Sequence, residues 1–369
     1  MDLTTRKSLT QSLSKLSVEI AAALRGPMST PGPAQNAAQA LHREEQVGEA
    51  FDLWTDLLAR RAAVLWVLKS LYVRILEDRG LLQPRRILDA EDELFLHLAP
   101  NLGPTAYLRW VYRDLASLRG GLPELFAPQP AELTPVPDPL SQRLIDFWRS
   151  KNPDTGELLY RFDDEHFDSR LMGDLYQDLD PVVKKRYALL QTPDFVLDFI
   201  LDETLTPAIA EFGVEAVRVL DPACGSGHFL LAAFNRLVAG MRARFPEKPV
   251  RSIVEDVLSR TIGIDLNDYA CGLARARLVM TALETCGETD IAAAASFHPR
   301  VFWADALEQV EEDEQLGLAE IAPEHRASMG LLTPPEVRTA LRPELKKRFH
   351  VVVGNPPYIT GTRSRDRAM

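Results

Sequence analysis

The chain has 369 residues, 46% of them hydrophobic, enough apolar material for about two packed cores. Its formal net charge of −11 gives little long-range attraction for polyanions, so any grip on phosphates must come from a local basic surface. The most apolar run, Ala62 to Leu76, carries Lys69 and Arg74 and is too short for a membrane span.

The start, Met1–Asp2–Leu3–Thr4–Thr5–Arg6, has no secretory pattern. Three cysteines, Cys224, Cys271 and Cys286, lack metal-ligand spacing, so reduced thiols in a cytoplasmic protein without a metal site are expected. Leu9 to Leu24 reads as one helix, followed by a loose linker from Gly26 through Pro33 to about residue 38. Phe51 to Arg79 and Tyr107 to Leu118 are helical, and Pro128 to Pro139 is a proline-rich connector. Residues 1–170 are thus expected to form an all-helical domain. Asp174 to Lys185 then leads into Tyr187–Ala188–Leu189–Leu190–Gln191–Thr192–Pro193, with a helix from Pro193 to about Leu205.

From residue 171 onward the pattern changes to strand, loop and helix. Val217 to Leu220 is apolar and ends in Asp221, then Pro222–Ala223–Cys224–Gly225–Ser226–Gly227 forms a small-residue loop before a helix from His228 to about Val238. That order is the first crossing of a doubly wound sheet, where a nucleotide-like ligand lies against the loop. Gly225 and Gly227 would let the backbone approach a ligand without a Cβ in the way. The spacing is neither the dinucleotide fingerprint nor a phosphate loop. An acid just before the loop suits a cationic or hydroxyl-bearing ligand better than a phosphate, and Cys224 reads as a small residue rather than a nucleophile.

Thr261–Ile262–Gly263–Ile264–Asp265 is a second short strand ending in an acid, placed to take a ribose diol, and Tyr269 to Leu283 is its helix. Val301–Phe302–Trp303–Ala304–Asp305 is a third, with a carboxylate able to accept from an adenine amino group. A single acid at a strand end is commonly a turn former or a helix cap; three in succession point to a site. Glu308 to Lys347 is an insertion, acidic at first and helical in pattern.

The fourth strand, Phe349 to Val353, runs into Asn355–Pro356–Pro357–Tyr358. An amide oxygen and a proline carbonyl stand side by side there, and the prolines fix φ and remove N–H donors. A planar group bearing NH2 would find two acceptors and an aromatic face. The plain alternative is a proline-rich turn.

Taken together, these motifs resemble those of the S-adenosylmethionine-dependent amino-methyltransferases of DNA that make N6-methyladenine. The resemblance covers about residues 170–360 and implies a Rossmann-like, doubly wound class I methyltransferase sheet. It implies S-adenosyl-L-methionine as cofactor, held by Thr192, Pro193, Asp221, Pro222, Ala223, Gly225, Gly227, Asp265 and Asp305. Asn355, Pro356, Pro357 and Tyr358 would be the catalytic turn, acting on an adenine flipped out of double-stranded DNA. Tyr187 stands further from Thr192–Pro193 than in the tightest form of that family's segment. The family's sheet has about seven strands, so residues 171–369 are expected to be the first part of a domain that downstream sequence or a partner subunit completes. A basic recognition domain there would offset the acidic charge. Leu71–Tyr72–Val73–Arg74–Ile75–Leu76–Glu77–Asp78–Arg79–Gly80–Leu81–Leu82 resembles the amino-terminal part of large bacterial phage-defence methyltransferases of the Pgl/BREX or DISARM type, and of fused restriction–modification enzymes. Other defence-system subunits are then possible partners. The leader holds no convincing D…E-x-K nuclease set, and Glu344–Leu345–Lys346 reads as a surface helix turn. The alternatives are a protein-glutamine N5-methyltransferase, an N4-cytosine methyltransferase, and a non-catalytic subunit that only holds cofactor.

Overall fold

Burial in the helix Phe51–Asp78 is unbroken from Ala62 to Glu77, so apolar and charged residues alike face other protein. The helices Leu3–Ser29, Asp138–Arg149 and Arg170–Asp178 pack around it. Three charged groups are enclosed by this packing, and each has a partner. Lys69 Nζ donates to both Glu132 carboxylate oxygens (2.9 and 2.7 Å) and to Ala127 O. Arg74 donates to Glu77 and Asp78, while Glu77 and Asp78 also accept the N–H groups of Ile87 and Phe162. The structure, a computed structural model, describes residues 3–44, 50–89, 91–163, 170–179, 192–306, 333 and 335–356.

The chain divides into two compact units. The first gathers the described residues up to Leu179 together with Glu288–Ala293. It is helical, as expected, with three corrections. The first helix runs to Ser29, through Gly26 and Pro27, and a new helix starts at Pro33, so the linker shrinks to Thr30–Gly32. Proline at a helix start costs nothing, because the missing N–H would have no intrahelical partner there. The proline-rich connector is packed: Ala131, Thr134 and Val136 are buried, and Glu132 is the partner of Lys69. The helix Arg170–Asp178 belongs to this unit, past the boundary expected at residue 170; Asp174 pairs with Arg6, and Ser14 Oγ donates to Leu179 O.

The second unit is α/β. Four strands, β1 (Val219–Asp221), β2 (Thr261–Asp265), β3 (Arg300–Trp303) and β4 (Val351–Val352), form a parallel sheet of order β3-β2-β1-β4. The helices His228–Arg244 and Val250–Arg260 connect β1 to β2, Asp268–Cys286 connects β2 to β3, and Pro335–Leu345 precedes β4. The Val250–Arg260 helix was not evident in the sequence, and neither was Asp138–Arg149 in the first unit. Parallel strands covered by crossover helices bury both faces, which is why Ile262, Ile264 and Phe302 sit in one core with Leu341. The order reverses direction at β1: successive strands step away through β2 and β3, and β4 returns to the other side. Ligands of open α/β sheets bind at the carboxyl ends of the strands beside such a switch.

Because burying Lys69 is tolerable only with its partner, Glu132→Ala should destabilise the protein by about 3–5 kcal/mol. The double change Lys69→Met, Glu132→Leu should recover most of that loss. Denaturant melts of the three proteins measure it, and equal stability of Glu132→Ala and wild type would show that the pair is immaterial.

Candidate active site

The carboxyl ends of β1, β2 and β4 lie in register. Val219 pairs with Thr261 on one side and with Val351 on the other, so Asp221 stands opposite Gly263 while the chain leaving β4 passes beside it. Val353 N–H donates to Leu220 O (2.9 Å), which carries the pairing up to the turn. A Cβ on Gly354 would meet Asp221 Oδ1 at 2.8 Å, so a side chain there would have to displace the Asp221 carboxyl.

Asp221 is 1% exposed, and its one recorded hydrogen bond comes from Ala223 N–H (3.1 Å). Burial pushes its carboxyl up to about 8; the Ala223 N–H opposes this, and the charge of Asp265 adds to it. Near neutral pH the group therefore carries a proton. The loop that follows is fastened from β2 and its helix. Gly225 N–H donates to Asp265 Oδ2 (2.8 Å), Cys224 N–H to Ile264 O (2.9 Å), and Arg277 Nη1 to Ser226 O (2.6 Å). Pro222 and Ala223 are half-buried beside them.

The two glycines expected to admit a ligand do different work. Gly227 has φ +86°, and a Cβ there would meet Ala274 Cβ at 2.9 Å, so it serves the close packing of the helix Asp268–Cys286. At Gly225, with φ +52°, a Cβ would stand in open space. Cys224 is buried; the Cys271 thiol and burial push its own thiol up, the reverse of what a nucleophile needs.

Asp265 is not the cap of the following helix. Asn267 fills that place, its side chain accepting from Tyr269 and Ala270 N–H. Asp265 instead accepts from Gly225 through Oδ2 and from Asn267 N–H through Oδ1 (2.8 Å), which leaves a lone pair free on each oxygen. Burial raises its pKa, and these two backbone donors oppose the rise. Beside it, Leu266 is 55% exposed, and Trp303, 40% exposed, donates from Nε1 to Leu266 O. β3 ends at Trp303, two residues earlier than expected: Ala304 N–H returns to Asp265 O, and Asp305 lies beyond, its N–H donating to Thr333 Oγ1.

At the end of β4, Asn355 is half-buried and Pro356 exposed. Asn355 Nδ2 donates to the buried Thr192 Oγ1 (3.1 Å), and Pro193 is the N-cap of the helix Asp194–Phe212. Of the residues expected at the site, Pro357 and Tyr358 lie outside the described residues, as does Tyr187. Three contributors were missed in the sequence: Arg277, Leu266 and Trp303. Arg277 left no separate signal, because Arg275 stands in the same Leu273–Val279 segment and is not fully buried. Among the described residues no cluster of metal-ligating side chains occurs, and no helix is long and apolar enough to cross a membrane.

The chain is similar in sequence to known proteins. Residues 211–368 match the family described as MmeI, DNA-methyltransferase domain. The chain is 36% identical over 337 residues to the adenine-specific methyltransferase PglX of Streptomyces coelicolor, covering 83% of this chain and 27% of that protein. It is 40% identical over 81 residues to the adenine-specific methyltransferase BrxX of Escherichia coli O9:H4, covering 21% of this chain and 6% of that protein. It thus spans about a quarter of PglX and less of BrxX. Among solved structures, that of the DrdV–DNA complex aligns with a TM-score of 0.48 at 14% identity, covering 99% of this chain and 30% of that one.

The buried acid gives a pH test. The folded protein holds a proton on Asp221 up to about 8, whereas the unfolded chain releases it near 3.8. The folded state binds more protons between these values, so the contribution is complete below the lower value and is lost as pH rises through the upper one. Asp221→Asn should abolish that decline, on the order of a few kcal/mol across the window. Thermal melts from pH 5 to pH 9 would show parallel curves for variant and wild type if Asp221 were ionised throughout.

Proposed function

We propose that this chain, whose residues 211–368 match the family described as MmeI, DNA-methyltransferase domain, acts as the catalytic part of a site-specific DNA adenine-N6 methyltransferase. The observation that carries this reading is the placement of Asn355. Its amide sits at the carboxyl end of β4, next to the β1 loop and at the point where the strand order reverses.

The residues around that loop fit S-adenosyl-L-methionine. Gly225 opens a surface that a side chain would fill, and Asp265 keeps a lone pair on each oxygen for a ribose diol. Leu266 and Trp303 offer exposed apolar surface for a purine ring, with Asp305 just beyond for its amino group. Asp221, Pro222, Ala223, Thr192 and Pro193 would complete the cofactor side. When bound, the cofactor supplies an electrophilic sulfonium methyl group.

The chain's own residues do the rest. The exocyclic nitrogen of adenine is a poor nucleophile, since its lone pair is delocalised into the ring. Asn355 Oδ1 and the Pro356 carbonyl accept the two amino hydrogens and so favour a nitrogen whose lone pair is available. Positioning and electrostatic complementarity then supply most of the rate. Tyr358 stacks on the base, partly offsetting the cost of flipping it, on the order of a few kcal/mol. The setting would be double-stranded DNA, a target-recognition element, and restriction–modification or phage defence; the chain's similarity to an adenine-specific methyltransferase is in keeping with the first of these.

Asn355→Ala in the complete gene product should abolish methyl transfer to DNA while leaving S-adenosylmethionine affinity within about twofold. Methylome sequencing of a host with either gene reads both the loss and the methylated base. Undiminished N6-methyladenine in the variant host would exclude Asn355 as the acceptor. Asp265→Ala should weaken the cofactor by about tenfold or more, through the diol contacts and the released Gly225 N–H. Isothermal titration decides that: unchanged affinity would leave Asp265 a loop fastener alone.

A further inference from the structure

We infer that Thr192 is a positioning residue for the target base: its hydroxyl holds the Asn355 amide so that Oδ1, and not Nδ2, faces the exocyclic amino group. The inference rests on the reading of Asn355 as the base acceptor. An asparagine amide carries an acceptor on one side and two donors on the other, and its terminal torsion is broad when nothing holds it. Turned by half a rotation, Asn355 would present an NH2 group to an NH2 group. The acceptor would become a repelling donor.

In the structure Nδ2 donates to Thr192 Oγ1 at 3.1 Å, a residue 163 positions away in sequence, and this leaves Oδ1 on the opposite side of the amide. Thr192 is buried and Asn355 half-buried, so water competes weakly for this bond. The backbone around both partners is also constrained. Val353 is paired to Leu220, and Gly354 is pressed against Asp221, whose carboxyl a Cβ would have to displace. Thr192 is followed at once by Pro193, whose carbonyl takes the first hydrogen bonds of the helix Asp194–Phe212. With both backbones held, rotation of the amide is the freedom that remains, and the hydrogen bond to the threonine hydroxyl restrains it. Pro356 and Pro357, which follow Asn355, have no N–H to offer the amide.

The test measures methyl transfer by the complete gene product on its target duplex, at saturating S-adenosylmethionine, for wild type, Thr192→Val, Thr192→Ser and Asn355→Ala. Valine keeps the shape of threonine and cannot hydrogen-bond. Because Thr192 also borders the cofactor side, the comparison is made at saturation: Thr192→Val should lower kcat about tenfold or more there. Thr192→Ser should restore most of the rate, which a purely packing role would not produce. A Val variant with wild-type kcat overturns the inference, and so does a deficit that vanishes when more cofactor is added, or a Ser variant as impaired as the Val variant. If Asn355→Ala is as active as wild type, the base-acceptor reading falls first and the positioning role falls with it.

Discussion

The candidate site depends on one constraint, the pairing of β1 with both β2 and β4. Val219 is the common register point, matched to Thr261 on one side and Val351 on the other. Because the strands are parallel and in step, the three chain segments leave the sheet at one level and on one edge. A slip of one residue in β4 would carry Asn355 to the opposite face of its strand and away from Thr192. The strands here are short, two to five residues, so the helices packed on the sheet have to hold that register.

Polar burial is the second theme, and it is handled differently in the two units. In the helical unit, Lys69 and Arg74 are buried as charges and are matched by carboxylates within 3 Å. Such pairs add little net stability, yet removing one member is costly, so they specify the packing rather than strengthen it. In the α/β unit Asp221 is buried with no cation among its recorded contacts, and it resolves the same problem by staying protonated. A neutral carboxyl can lie against Gly354 without the desolvation penalty of a charge, which lets the loop after β1 and the chain leaving β4 approach closely. Arg277 then anchors the other side of the loop through Ser226 O.

Much of this was legible in the sequence. Apolar runs ending in Asp221, Asp265 and Asp305, each separated by helical patterns, specified a parallel sheet, because only such a sheet buries both faces of short apolar strands and needs a crossover helix between them. Thr261–Asp265 was read to the residue, since a strand of five residues bounded by a helix and an Asx turn has little freedom at its ends. In the first unit, periodicity gave helices at Leu9–Leu24, Phe51–Arg79 and Tyr107–Leu118 but not those at Pro33–Glu44 and Asp138–Arg149. Gly225 and Gly227 were recognised as special, although one requirement was mistaken for another: a positive φ is the same signal whether the missing Cβ makes room for a ligand or for Ala274.

What the sequence determined by itself was local: which segments form strands, where chain direction changes, and which residue types stand at the turns. Those choices come from propensity, periodicity and turn chemistry between near neighbours. Only the tertiary structure decided that Asp265 fastens Gly225 while Asn267 caps the helix, that Asp221 is enclosed and protonated, and that Thr192 meets Asn355 across 163 residues. A carboxylate's pKa depends on the burial that the whole fold imposes, and a hydrogen bond between distant segments depends on strand order. Neither is encoded by neighbours in the chain.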